Sequence, residues 1–239
     1  MSAARGRPAI ADDELPQGQA KVAAVRSMFD AIAPRYDLVN RIMTFRMDVG
    51  WRRRAVRDLG LPAGSRVLDL AAGTGDLCRE LGDRGLIAIG ADLSWGMLAN
   101  ARTDAALVQA DGLHLPFPDE SLDGATCGFA LRNFVDLAGV FAELGRVVRS
   151  GGRVALLDVA TPTNPVLKAG HAVYFGKVVP RIGGWLSDPA AYQYLPKSVA
   201  YLPPPSVMLD QLRAAGFSAV ERTLLSGGIS QLLTATRGR

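Results

Sequence analysis

Cysteine and histidine are scarce in this 239-residue chain, which holds only Cys78 and Cys127, His114 and His171. Two cysteines build no disulfide framework, and two histidines without cysteines at ligand spacing make no zinc site. The expected compartment is therefore the reducing cytoplasm. No apolar run approaches the ~20 residues of a membrane-spanning helix. The first nineteen residues carry Asp12, Asp13 and Glu14 but no apolar stretch of the secretory kind. A large excess of one charge sign is missing too: 27 Lys and Arg face 23 Asp and Glu, a net +4 too diffuse for a nucleic-acid-binding face. The one dense basic spot, Trp51-Arg52-Arg53-Arg54, follows the apolar run Val39 to Phe45. It reads either as a solvated helix face over a buried stripe or as a patch that touches lipid headgroups.

Apolar residues make up 49% of the chain and charged residues 21%, the balance of a soluble globular domain. Residues 1–20 hold Gly6, Pro8, Pro16 and Gly18 among few bulky apolar side chains, and are expected to form a flexible tail before one domain spanning 21–239. From Ala20 to Leu59 apolar positions recur at helical spacing with a break at Pro34, predicting two or more helices. Arg66 to Leu70 is too apolar for a one-faced strand and predicts a central parallel strand. Helices are then expected over Asp76 to Leu81, Ser94 to Ala101 with Ser94 as N-cap, and Asp136 to Arg149, ended by Gly151-Gly152. Between them fall strands over Leu86 to Ala91, Ala105 to Gln109, Leu122 to Gly128 and Arg153 to Val159. Such alternation predicts a doubly wound, mostly parallel α/β sheet with helices on both faces. Residues 160–205, rich in proline and aromatics, interrupt the rhythm as an inserted helical cap. A helix over Val207 to Ala214 and β-leaning runs over Ala219 to Leu225 and Gln231 to Thr236 finish the sheet.

Chemistry concentrates at the strand ends. Ala71-Ala72-Gly73-Thr74-Gly75-Asp76 follows the first strand and opens a helix, where α/β sheets hold ligands against backbone N–H groups. A dinucleotide fingerprint would need a third glycine where Cys78 stands, which disfavours a pyrophosphate. Asp69, just ahead of the loop, suits a ligand with a positive group. Asp92 ends the second strand near the ~20-residue offset at which an acid meets ribose hydroxyls, and Asp111 follows the third, where a carboxylate can accept from an adenine amine. Each acid alone reads more simply as a turn or cap residue. Together they favour S-adenosylmethionine, an adenosine joined to a sulfonium. Elsewhere the sequence offers no metal cluster, no nucleophile with its base and no pair of carboxylates at matched spacing.

Several segments carry a family resemblance: Met28-Phe29-Asp30 through Ile32-Ala33-Pro34-Arg35-Tyr36-Asp37, Val67 to Asp76, Asp111 with Leu115-Pro116-Phe117, Leu131-Arg132-Asn133, Pro162-Thr163-Asn164, Tyr192-Gln193-Tyr194-Leu195 and Gly227-Gly228-Ile229. In these, from about Ala24 to the C-terminus, the chain resembles the ubiquinone/menaquinone biosynthesis C-methyltransferases, a family of class I S-adenosylmethionine-dependent enzymes. The resemblance implies a seven-stranded Rossmann-like sheet behind N-terminal helices. It implies that Gly73, Thr74 and Gly75 line the methionine end of the cofactor, that Asp92 holds the ribose with Leu93 and Met97 beside it, and that Asp111 with Gly112 reads the adenine. Tyr36 would close over the site, its alternative being a packing aromatic.

The implied acceptor is a lipophilic demethylated quinol, with demethylmenaquinol the first reading, its tail against the cap and the neighbouring membrane surface. A phenol with a pKa near ~10 is about one part in a thousand ionised at neutral pH, and a nearby cation lowers that pKa by ~1–3 units. Arg132 is expected to supply the cation and Asn133 to hold a quinol oxygen; alternatively both cap the next helix or pair with an acid. His114 reads as a rim or surface residue, and His171 as part of a substrate wall in the cap. Departures from the family pattern are Gly128 for a serine, Ala130 for a glycine, Asp158 for a glutamate, and changes at Leu195 to Ser198 and Gln231 to Ala235. Because these gather on the acceptor side, another lipophilic phenol or secondary metabolite is a second acceptor reading, and a cofactor-binding protein without transfer activity a third. The pattern fixes no oligomeric state, and a homodimer stays open.

Overall fold

A computed structural model of the protein describes residues 17–174, 194 and 198–239. The expected tail lies outside them as far as residue 16, as do residues 175–193 and 195–197 of the expected cap and the side chain of His171. The N-terminal helices are α1 (Gly18–Ile32), α2 (Tyr36–Met43) and α3 (Met47–Leu59). A 3₁₀ turn over Ala33–Arg35 holds Pro34 and breaks the run. Helix α1 thus begins inside the segment expected to be tail, its Val22 and Val25 facing a cavity described below.

Seven strands follow: β1 (Arg66–Leu70), β2 (Ile87–Asp92), β3 (Ala106–Gln109), β4 (Leu122–Gly128), β5 (Val148–Val159), β6 (Phe217–Leu225) and β7 (Ser230–Arg237). They form one sheet in the order β3-β2-β1-β4-β5-β7-β6. Strands β1 to β5 pair in parallel, and β7 runs antiparallel between β5 and β6. Helices α4 (Asp76–Gly82), α5 (Trp95–Ala99), α6 (Leu137–Val147), α7 (Pro165–Val173) and α8 (Pro205–Ala214) complete the described helices. Ser94 caps α5 by accepting from Met97 N at 3.0 Å, and Asp136 caps α6 by accepting from Gly139 N at 2.9 Å.

One boundary differs in kind from the sequence expectation. Gly151-Gly152 does not end α6, which stops at Val147. Instead β5 starts at Val148, and the pairing with β4 slips between Leu122 and Gly124, so the glycines form a bulge inside the strand. A Cβ on Gly152 would sit 2.6 Å from the Asp123 carbonyl oxygen, an approach that only glycine permits. Helix α8 begins two residues earlier than expected because Pro205 takes its first position.

Apolar cores lie on both sheet faces, one built on α6 and α8 with Leu68, Leu156 and Leu233, the other on α3 and α4 with Val67, Leu157 and Leu232. A third cluster joins Met28, Ile32, Val39 and Met43 of the N-terminal helices to Met97 and Tyr194. This helical layer overlies the carboxyl ends of the strands.

Candidate active site

The strand order reverses between β1 and β4, the place where open α/β sheets leave a crevice at their carboxyl edge. A cavity of about 190 Å³ occupies it. Its floor is Leu70, Ala71, Asp92, Leu93, Asp111, Gly112 and Gly128, and its roof is α1 through Val22, Val25 and Phe29, with Met97, Tyr36 and Asn133 on the walls. A smaller polar cleft of about 40 Å³ adjoins it, lined by Arg52, Asp69, Thr74 and Asp76. The two compartments share Tyr36, Ala71 and Gly128.

The glycine loop takes its shape from left-handed backbone at Gly73 (φ 57°) and Gly75 (φ 84°). A Cβ on Gly75 would meet Thr103 Cγ2 at 2.7 Å. Asp92 braces the loop, its two oxygens accepting from Gly73 N and Ser94 N, each at 2.8 Å. Burial pushes its carboxyl above the ordinary value and these backbone donors oppose that shift. The Thr74 hydroxyl donates to Asp37 of α2, so one hydrogen bond couples the loop to the helical layer. Asp30 of α1 makes a parallel link, accepting from Ser94 Oγ at 2.5 Å and Gly96 N at 2.8 Å.

Asp69 is buried and accepts from Thr126 Oγ1 at 3.0 Å and Cys78 Sγ at 3.5 Å. Desolvation raises its carboxyl to about 7, against the pull of those donors. Both cysteines are buried with raised pKa values, which leaves them inert thiols. Arg52 is buried at the other side of the cleft, 2.5 Å from Asp48 and 3.0 Å from Asp76. The basic run is thus not one patch. Trp51 is buried and donates to Ser226 Oγ at 2.8 Å, while Arg53 and Arg54 pair with Glu80 and Asp58.

Beyond β4, Phe129 adopts a left-handed conformation (φ 62°) that turns the chain into the 3₁₀ helix Leu131–Asn133. Its ring packs beside Trp51 at 6.1 Å and under the Arg52 guanidinium at 5.6 Å. Arg132 is buried and pairs with Asp158, donates 2.7 Å to Phe129 O and 3.1 Å to Ser198 Oγ, and gives its backbone N–H to Asp158 at 3.1 Å. Pairing with an acid was one of its two sequence readings. Arg132 therefore lies behind the cavity wall, whereas Asn133 is on it and accepts from the Tyr194 hydroxyl at 3.1 Å. Burial raises the Tyr36 phenol, and the charges of Arg132 and Arg52 draw it back down. Asp111 accepts from Leu113 N at 3.0 Å, an Asx turn at the cavity rim, and His114 is exposed beside it.

Of the residues expected to hold cofactor, Asp92, Leu93, Met97, Asp111 and Gly112 meet at the cavity, and Asp69 and Thr74 at the cleft; Gly73 and Gly75 shape the loop between. Arg52, Asp37 and Asp30 are additions to that set. The spacing of Asp48 and Arg52, four apart on one helix, was the available signal for a buried pair.

The chain matches the ubiE/COQ5 methyltransferase family over residues 17–237. It belongs to that family and is a methyltransferase. It is 42% identical to a demethylmenaquinone methyltransferase of Roseiflexus castenholzii over 93% of this chain and 97% of that one. It is 43% identical to the Thermus thermophilus protein of the same name, over 88% and 100%. Among solved structures, a putative methyltransferase of Haloferax volcanii, in complex with its Trm112 activator, superposes with a TM-score of 0.67 at 17% identity, covering 88% of this chain and 98% of that one. A Haemonchus contortus phosphoethanolamine N-methyltransferase in complex with S-adenosyl-L-methionine superposes at 0.58 with 15% identity, over 79% and 52%. The fold is that of Rossmann-like methyltransferases.

The two compartments fit S-adenosylmethionine. The larger is apolar with carboxylates at two strand ends, as an adenosine needs. The smaller sets Arg52, held between Asp48 and Asp76, across from a buried acid, Asp69, which gives the two ends of an amino-acid zwitterion a cation and an acid to face.

Proposed function

We propose that this protein transfers a methyl group from S-adenosylmethionine to a ring carbon of demethylmenaquinol, giving menaquinol. The observation that carries the reading is similarity along nearly the whole chain to proteins named demethylmenaquinone methyltransferase, together with a two-part cavity shaped for the cofactor. When bound, the cofactor supplies an electrophilic methyl group on a sulfonium. Asp92 accepts from the ribose hydroxyls and Asp111, with Gly112, meets the adenine edge. Asp69 faces the ammonium and Arg52 the carboxylate of the amino-acid end. Leu93 and Met97 pack on the adenosine, and Thr74, anchored by Asp37, fixes the loop beneath it.

The acceptor's oxygen must lose its proton for the adjacent ring carbon to become nucleophilic. Tyr36 and Asn133 line the wall from which that oxygen is held. Arg132 acts through them: it fixes the Asn133 loop and biases the Tyr36 phenol toward the charged form. Its partner Asp158 cancels part of its field, so the shift it imposes on the acceptor falls short of the ~1–3 units of a bare neighbouring cation. The helical layer over the cavity excludes water and holds the reacting groups close.

The test supplies purified protein with a short-tailed demethylmenaquinol, kept reduced, and methyl-labelled cofactor, and identifies the product by mass spectrometry. Label on the quinol ring is expected. Arg132→Lys is expected to lower kcat by about a hundredfold with cofactor affinity within about threefold of the parent, since misplacing the reacting groups by ~1 Å through a residue that acts on them indirectly costs on the order of 10² in rate. No labelled quinol, with cofactor bound, would leave a binding protein without this transfer activity.

A further inference from the structure

Among the described residues, α2 and α7 turn an unpartnered apolar face to solvent. Leu38 and Ile42, four apart on α2, are 56% and 39% exposed, and Phe45 just beyond it is 69% exposed. On α7, Val166 and Val173, seven apart and so on one side, are 79% and 55% exposed. Phe45 and Tyr174 join the two helices, with ring centroids 5.5 Å apart, and the Tyr174 hydroxyl donates 2.8 Å to Met43 O. Phe45 (φ 50°) and Arg46 (φ 61°) are consecutive left-handed residues without a glycine. The fold therefore holds a phenylalanine in water at a conformational cost.

Charge gives this face its partner. Of the basic side chains on the segments that build it, residues 33–47 and 164–174, Arg41 pairs with Asp76 at 3.3 Å, while Arg46 and Lys168 pair with no acid among the described residues; the one acid there is Asp37. Asp37 is turned inward onto Thr74. Apolar side chains raised above a field of lysine and arginine match a bilayer surface, where rings and branched chains enter the headgroup boundary and cations meet anionic phosphates. We infer that the α2–α7 face docks the protein on anionic membranes, with Phe45 as its leading anchor. The inference rests on the proposed function only for its purpose, delivery of a lipid-soluble acceptor to the cavity that α1 and Tyr36 enclose. The basic run Trp51 to Arg54 has no part in it, since Arg52 is buried and Arg53 and Arg54 are paired.

The test pellets the full chain with vesicles of phosphatidylcholine alone or mixed equally with phosphatidylglycerol. The parent is expected to partition to the mixed vesicles and to be released by high salt. Phe45→Ser combined with Leu38→Ser, and separately Arg46→Glu combined with Lys168→Glu, are expected to lower partition at least about tenfold while S-adenosylhomocysteine affinity and turnover of a tailless acceptor stay at parent values. Parent protein that stays in the supernatant, binds neutral vesicles equally well, or binds mixed vesicles no better than both variants would overturn the inference. So would a dimer that Phe45→Ser dissociates without change in vesicle binding, which would make the face a contact between copies. Vesicle binding without methylation of any demethylmenaquinol would instead sink the functional reading and leave the docking face standing.

Discussion

Asp69 ties the chemistry of the cleft to pH. Its carboxyl sits at about 7 because burial outweighs the two hydrogen bonds it accepts, so in the free protein it is largely protonated in mildly acidic solution. A raised carboxyl pKa contributes stability below the unfolded value near 4, and that contribution is lost as pH climbs through about 7. Ligand binding runs the other way. A cofactor bearing an ammonium group favours the ionised carboxylate, so binding at pH 6 is expected to expel close to one proton, and affinity should rise with pH up to about 7 and then level off. Calorimetry at pH 6 in two buffers of different ionisation enthalpy measures the proton count. Asp69→Asn should bring that count near zero and flatten the pH profile; an unchanged count in this variant would move the titration to another group.

Helix α1 roofs the cavity, and Lys21 fastens it to the loop beyond β4. That buried side chain donates 3.0 Å to Arg132 O and 2.9 Å to Phe134 O and lies 3.7 Å over the Tyr201 ring, while burial lowers its ammonium to about 8. It therefore fastens the roof to the same loop that presents Asn133. Lys21→Met keeps the stem but leaves two carbonyls without their donor, a cost of about 1–3 kcal/mol felt locally. Amide exchange along α1 is expected to speed up by one to two orders of magnitude, on the order given by that cost, with weaker cofactor binding and little change in β1 to β5. Uniform exchange across the sheet would instead mark Lys21 as a global support.

At this scale the sequence was most legible where period and punctuation agree. The strand-helix alternation, the Ser94 and Asp136 caps and the Pro34 break all appear where local chemistry demands them. Gly151-Gly152 misled because a helix stop and a strand bulge both call for glycine, and only the β4–β5 register distinguishes them. The acids expected to meet the cofactor were legible because each lies near the carboxyl end of a strand, Asp69 next to last in β1, Asp92 closing β2 and Asp111 two residues past β3. The tertiary ion pairs Arg52–Asp76 and Arg132–Asp158 were not, since such a pair is defined by a partner distant in sequence: the spacing of Asp48 and Arg52 signalled only the pair within α3.

Across the whole molecule the cavity is a seam between two bodies, the sheet with its two apolar cores and the helical layer with its own. Among the described residues the polar links across it include Asp37 to Thr74, Asp30 to Ser94 and Gly96, Arg41 to Asp76, and Lys21 to the Arg132 loop. A ligand in the two compartments touches both bodies at once and so stabilises the contact between them as well as the fold. S-adenosylhomocysteine at a hundred times its Kd should add about 2.7 kcal/mol, which for a domain of this size raises Tm by roughly 5–10 °C. Adenosine reaches only the larger compartment, so at equal occupancy it should leave α1 less protected than the full ligand does. Thermal unfolding followed by circular dichroism for the sheet, with amide exchange for α1, separates the two effects. Equal α1 protection by adenosine and by S-adenosylhomocysteine would mean that a ligand in the polar cleft beside Arg52 adds nothing to the hold on α1, and that the adenosine alone supplies it.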